Sequence, residues 1–139
     1  MLLVDHLVGM GHQIEDFGTG SEESVDYPEY GAAVGRAVAL GMADLGGCVC
    51  ATGVGISIAA NKVSGVRAAV VHDMTTAHLA REHNEANVIC FGGRIIGEQV
   101  AREALEVFLV AEPLGGRHRR RVDEITAIEE ADAKAKETP

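Results

Sequence analysis

Short strand-like runs alternate with helically spaced stretches along most of this chain, and that alternation restricts the fold more than any other feature. Runs over Gln13–Phe17, Cys48–Ala51, Val66–Val71 and Val88–Phe91 are closed by glycine or polar residues and read as strands. Between them the spacing predicts helices over Met1–Gly9, Tyr30–Ala43, Ile56–Val63, Thr75–Glu82 and Gly97–Val110, with Gly20–Pro28 as a polar loop. A charged helix follows from about Arg119 to Ala135, with a frayed tail over Lys136–Pro139. Strands alternating with helices predict an α/β domain with a mainly parallel sheet. The inward positions are Leu2, Leu3, Leu7 and Val8, then Val34, Ala37, Val38 and Met42, then Val100, Ala104, Val107 and Phe108. In 139 residues without an internal repeat or a break in composition, these elements make one domain over 1–139.

Charge and composition narrow the partners. Twelve basic against 21 acidic residues give a net charge of -9, which disfavours general binding to nucleic acid or to anionic membrane. Aromatic residues are 4% with no Trp, so the core is aliphatic and base-stacking modules are disfavoured. No apolar run reaches the length of a membrane span, and no signal-peptide pattern opens the chain. Cys48, Cys50 and Cys90, an odd set within apolar stretches, read as reduced thiols of a cytoplasmic protein.

In an open parallel sheet, ligands bind beyond the carboxyl ends of the strands, here Thr52–Ser57, His72–Asp73 and Gly92–Arg94. The stretch Cys50-Ala51-Thr52-Gly53-Val54-Gly55-Ile56-Ser57 runs from strand through a glycine turn into a helix. Such a turn presents backbone N–H groups and a positive helix end to an anion. Ile58 stands where a dinucleotide fingerprint needs glycine, and no Gly-Lys-Ser/Thr follows, so neither nucleotide motif is complete. From the residues alone, an anion site and a plain tight turn stay equally open. Cys50 precedes the turn, where a helix N-terminus lowers a thiol pKa and makes the thiolate a base or nucleophile; otherwise it is a small core residue. Cys48 and Cys50 share a strand face without the spacing of a zinc knuckle. The gaps between His72, His78 and His83 match no zinc pattern, so no metal is expected. His83-Asn84 ends a helix, either as a cap or as an acid/base with a hydroxyl ligand beside it. In the run Arg117-His118-Arg119-Arg120-Arg121, Arg117 and Arg121 share one helix face. Two guanidinium forks there suit a phosphate monoester; the alternative is a solvated surface helix with Glu partners.

Several of these segments recur together. Asp16-Phe17-Gly18-Thr19, Asp26-Tyr27-Pro28, Cys50 through Lys62, Ala80-Arg81-Glu82-His83-Asn84-Glu85-Ala86-Asn87, Gly92-Gly93-Arg94 and Gly116-Arg117-His118 to Arg121-Val122 stand in one order from about Gly11 to Ile125. In that order and spacing the chain resembles ribose-5-phosphate isomerase B, a family that also includes galactose-6-phosphate and allose-6-phosphate isomerases. The resemblance implies a three-layer, Rossmann-like α/β sandwich. It implies a cofactor-free, metal-free aldose–ketose isomerase of the pentose phosphate pathway, interconverting ribose 5-phosphate and ribulose 5-phosphate through an enediolate. By position it implies Cys50 as the base, Thr52 and His83 as assistants in opening the furanose ring, and Gly53 to Gly55 as the anion hole. Asn84 would hold a substrate hydroxyl, and Arg94, Arg117 and Arg121 the phosphate. It further implies a homodimer or homotetramer with the site completed across an interface. Ala51 stands where the family commonly has glycine. The family's opening strand and Gly-x-Asp-His-Ala-Gly segment have no counterpart; Asp5-His6 aligns with helix positions and takes no role. The expectation is therefore a sheet lacking its N-terminal strand, with Met1 not the natural start or the chain poorly folded and inactive. The other readings are a hexose-6-phosphate isomerase of the same family and a catalytically silent sugar-phosphate-binding protein.

Overall fold

The computed structural model describes residues 2–139, so the expected helix start at Met1 lies outside it. The chain runs α1 (Leu2–Gly9), α2 (Tyr27–Ala39), β1 (Gly46–Cys50), α3 (Val54–Asn61), β2 (Ala68–Val70), α4 (Met74–Asn84), β3 (Val88–Gly92), α5 (Glu98–Val110) and α6 (Arg117–Glu137). The three strands form one parallel sheet in the order β1-β3-β2, with Cys48 opposite Cys90 and Cys50 opposite Gly92. β3 is central and buried at every position, which is why Val88-Ile89-Cys90-Phe91 is an unbroken apolar run.

Alternation along β3 divides the core into two layers. Ile89 and Phe91 face α4 and α5, joining Val71, Ala77, Ala104, Leu105 and Phe108, with Leu3 and Leu7 of α1 packed on the rim. Val88 and Cys90 face the other way, joining Cys48, Ile56, Ala60 and Val66, with Val34 and Val38 of α2 against them. This is the expected three-layer sandwich. α2 and α3 touch closely because Gly31 and Gly35 lie against α3 and its C-terminal loop: a Cβ on Gly31 would stand 2.9 Å from the Ile56 carbonyl oxygen. α6 packs on α4 and then reaches the loop before β2, where Glu129 accepts from the Gly65 N–H at 3.0 Å.

Several expectations are corrected. Gln13–Phe17 is not a strand. Ile14, near its start, lines a cavity of about 770 Å³ together with Gly46, Gly47, Ile89, Leu105 and Phe108 among others. Among the described residues it pairs with no strand, and a segment without a ladder partner is not a stable strand. α2 begins at Tyr27, since Pro28 fits a first helical turn, and ends at Ala39, leaving Met42 65% exposed instead of inward. Leu2, Val8 and Val100 also face outward; Ala101 and Leu105 take the inner face of α5 with Ala104 and Phe108. α6 starts at Arg117 and continues to Glu137, so Lys136 is helical. Among the described residues no helix is long and apolar enough to cross a membrane.

Candidate active site

β1 ends at Cys50, and the chain turns through Thr52 and Gly53 into α3. Gly53 is the N-cap of α3 with φ 79°, a conformation that favours glycine. Its Cα also lies on β3, so a Cβ there would sit 2.8 Å from the Phe91 carbonyl carbon. From the other side Gly92 presses on Thr52, where a Cβ would stand 2.6 Å from the carbonyl oxygen. The turn is thereby clamped to the end of β3, and the clamp continues as Gly93 N–H donates to the Cys50 carbonyl (2.8 Å) and Arg94 N–H to the Ala51 carbonyl (3.0 Å).

Cys50 points its sulfur into this turn. Gly53 N–H donates to Sγ at 3.2 Å. Partial burial pushes the thiol up, but hydrogen bonds from the Ile56, Thr52 and Gly53 amides and the Thr52 hydroxyl outweigh it and hold the thiol below its ordinary value. Thr52 Oγ1 also accepts from Val54 N–H at 3.2 Å, which orients its hydroxyl at the helix start. The other two cysteines differ. Cys48 and Cys90 are buried opposite each other, and Cys90 is pushed far up by its hydrogen bond with Cys48 and by burial, so it stays neutral.

A second group collects at the other end of the sheet. α4 ends with His83 and Asn84, and Glu85 caps it in the left-handed region at φ 47°. Arg67 Nε donates to the Asn84 carbonyl (3.1 Å) and the Glu85 carbonyl (3.0 Å), and Arg81 Nη1 to the Ala86 carbonyl (2.7 Å). Asn87 links this corner to the start of β2, accepting from Arg67 N–H at 2.8 Å and donating to the Gly65 carbonyl at 2.8 Å. α6 begins beside it. Arg119 pairs with Glu85 and Asp123, and Arg120 with Glu124, while Arg117 and Arg121 have no ion pair among the described residues.

The structure thus divides the expected residues. Cys50, Thr52, Gly53, Gly55 and Arg94 gather at the carboxyl ends of the strands. His83, Asn84, Arg117 and Arg121 gather at the amino ends. The two sets are separated by the length of β3, about 13 Å for four residue steps, so one chain does not bring Cys50 to His83 or Arg94 to Arg117. Two features went unread in the sequence. A Cβ on Gly55 would collide with the Tyr27 ring, so Tyr27 covers the glycine turn. The His83 and His118 rings are stacked. Neither pair has a local signature, because the partners lie on different helices.

A polarised thiol in an amide-lined turn at the carboxyl edge of a parallel sheet defines an α/β protein of the class that works on small anionic molecules. Comparison with known proteins narrows this class. The family model described as Ribose/Galactose Isomerase matches residues 1–125, and the chain belongs to that family. It is 48% identical over 128 residues to ribose-5-phosphate isomerase B of Escherichia coli K12, covering 92% of this chain and 86% of that one. It is 47% identical over 111 residues to galactose-6-phosphate isomerase subunit LacB of Clostridium acetobutylicum, covering 80% of this chain and 64% of that one. The solved ribose-5-phosphate isomerase B of Clostridium thermocellum superposes with a TM-score of 0.91 at 46% identity, over 93% of this chain and 87% of that one.

Proposed function

We propose that this protein is an aldose–ketose isomerase that interconverts ribose 5-phosphate and ribulose 5-phosphate. The observation that carries the reading is the Cys50 thiol, held below its ordinary proton affinity by the N–H groups of the glycine turn. The carbon acid beside a carbonyl is weak, so its deprotonation needs a base and a preorganised site for the enediolate oxygen. Cys50 takes the proton from C2 and returns it to C1. The turn at Gly53 to Gly55 supplies N–H donors to the oxygen that becomes negative. Thr52 and His83 assist opening of the furanose ring, and Asn84 holds a hydroxyl. Arg94, Arg117 and Arg121 hold the phosphate, so that binding energy at the unreacting end fixes the reacting one.

This chemistry requires two chains. The sets holding Cys50 and His83 lie at opposite ends of one sheet, so each site joins the carboxyl edge of one protomer to the amino edge of its partner. Exposed apolar residues fit such an assembly: Val54 is 50% and Ile58 55% exposed on α3, and Ile95 is 57% exposed after the turn that carries Arg94. The free cysteines fit the reducing cytoplasm. The 47% identity to the galactose-6-phosphate isomerase subunit favours a second reading, a hexose 6-phosphate substrate.

The test is a coupled assay with ribose 5-phosphate, allose 6-phosphate and galactose 6-phosphate. Turnover of the pentose alone, lost in Cys50→Ala and indifferent to chelators, is expected. Preference for a hexose selects the second reading. Phosphate-ligand binding without turnover of any of the three makes the protein a silent binder.

A further inference from the structure

The chemistry above gives no role to the imidazole that lies against His83. His118 stands in the first turn of α6, and its ring lies flat on that of His83, with centroids 4.2 Å apart and planes within 3°. The contact is pinned on both sides to the turn that carries His83. Before α6, Leu114 N–H donates to the Glu82 carbonyl at 2.9 Å; one residue after His118, Arg119 pairs with Glu85 at 2.9 Å. The hydrogen bonds of this corner engage Glu82, Glu85, Ala86 and Arg67 rather than either imidazole. A histidine in the last turn of a helix otherwise turns about two side-chain torsions, and stacking is what restrains this one. Burial, then the charges of His83, Arg117 and Arg121, hold His118 below its ordinary proton affinity, opposed by Glu82. What lies on His83 near neutral pH is therefore a flat, uncharged ring.

We propose that His118 is a positioning residue whose stacked ring holds the His83 imidazole in the one plane that serves ring opening. The inference rests on the assignment of His83 above. In that step the hydroxyl at C1 loses a proton, C1=O forms as the bond from C1 to the ring oxygen breaks, and the ring oxygen gains a proton. A group that moves one of these protons acts only along a narrow direction. The step belongs to one substrate alone. Ribose 5-phosphate closes through its free hydroxyl at C4. Ribulose 5-phosphate would have to close through O5, which carries the phosphate, so it stays open.

The experiment uses the 139-residue chain with isotope-labelled histidine, beside His118→Ala and His118→Phe. Ring relaxation of His83 is read by nuclear magnetic resonance. Its order falls in His118→Ala and is kept in His118→Phe, which retains a flat partner without a titrating nitrogen. An unchanged His83 ring in His118→Ala overturns the proposal, as does equal loss of order in both variants. In turnover, kcat for ribose 5-phosphate falls about tenfold or more in His118→Ala, with KM within roughly a factor of two, and is largely restored in His118→Phe. Solvent deuterium exchange at C1 of ribulose 5-phosphate stays near that of the parent. Equal losses on both substrates refute the ring-opening role. If the parent chain turns over no sugar phosphate, the function proposed above fails, and the relaxation data still decide whether His118 orders His83.

Discussion

Cys50, Cys48 and Cys90 are one residue type in one small region of the sheet, and their surroundings separate them. Amides surround Cys50, whereas Cys48 and Cys90 have each other and a buried apolar layer. Alkylation by iodoacetamide is expected to modify Cys50 alone in the native protein, with a pH midpoint below the ordinary 9.0. Thr52→Val moves that midpoint up. A midpoint at or above 9.0 would mean that the turn does not favour the thiolate. Because the folded value is lowered, the thiolate's contribution to stability is present above the unfolded value and lost as pH falls through the folded one. Glycines show the same dependence on place. A Cβ on Gly46 would meet Val34 Cγ1 at 2.6 Å, whereas on Gly47 the nearest atom is Ile89 Cγ2 at 4.0 Å. Gly46→Ala should cost about 1–3 kcal/mol by overpacking, and Gly47→Ala should be neutral or stabilise by up to about 1 kcal/mol. Urea midpoints in the reverse order would show that the α2–β1 contact is looser than described. The sequence marks both as glycines and holds nothing to tell them apart.

At the scale of elements, the first turn of α6 sorts its arginines. Arg119 and Arg120 are engaged by Glu85, Asp123 and Glu124, while Arg117 and Arg121 have no ion pair among the described residues. Arg117→Ala and Arg121→Ala are each expected to raise KM for phosphorylated substrate roughly ten- to a hundredfold, and Arg120→Ala to leave it near the parent value. Equal effects on phosphorylated and unphosphorylated pentose would refute the clamp. The i,i+4 spacing of Arg117 and Arg121 was legible in the sequence. Which charges of the run were already spent was not, because the acids that decide it include Glu85, thirty-four positions before Arg119. Gln13–Phe17 shows the complementary limit. Its pattern is strand-like, but a strand is a relation between two segments, and among the described residues this one pairs with none.

At the scale of the whole molecule, the proposed site is a property of a pair of chains, and a mixing experiment reads this directly. Cys50→Ala and His83→Asn should each be inactive alone. Unfolded and refolded together, half of the dimers are mixed and each mixed dimer keeps one unmutated site, so activity returns to roughly a quarter of the parent value for a two-fold assembly. No recovery on mixing would place both residues in one chain's site, against the separation along β3. Strand–helix alternation, the glycine turn after Cys50 and the aliphatic core could be read from the sequence, because each rests on short-range periodicity or on residue chemistry that travels with the chain. The order β1-β3-β2, the clamp of Gly92 on Thr52, the cover of Tyr27 over Gly55 and the His83–His118 stack were decided by tertiary structure. Each joins residues far apart in the chain, and the close packing that selects them exists only once the layers have closed.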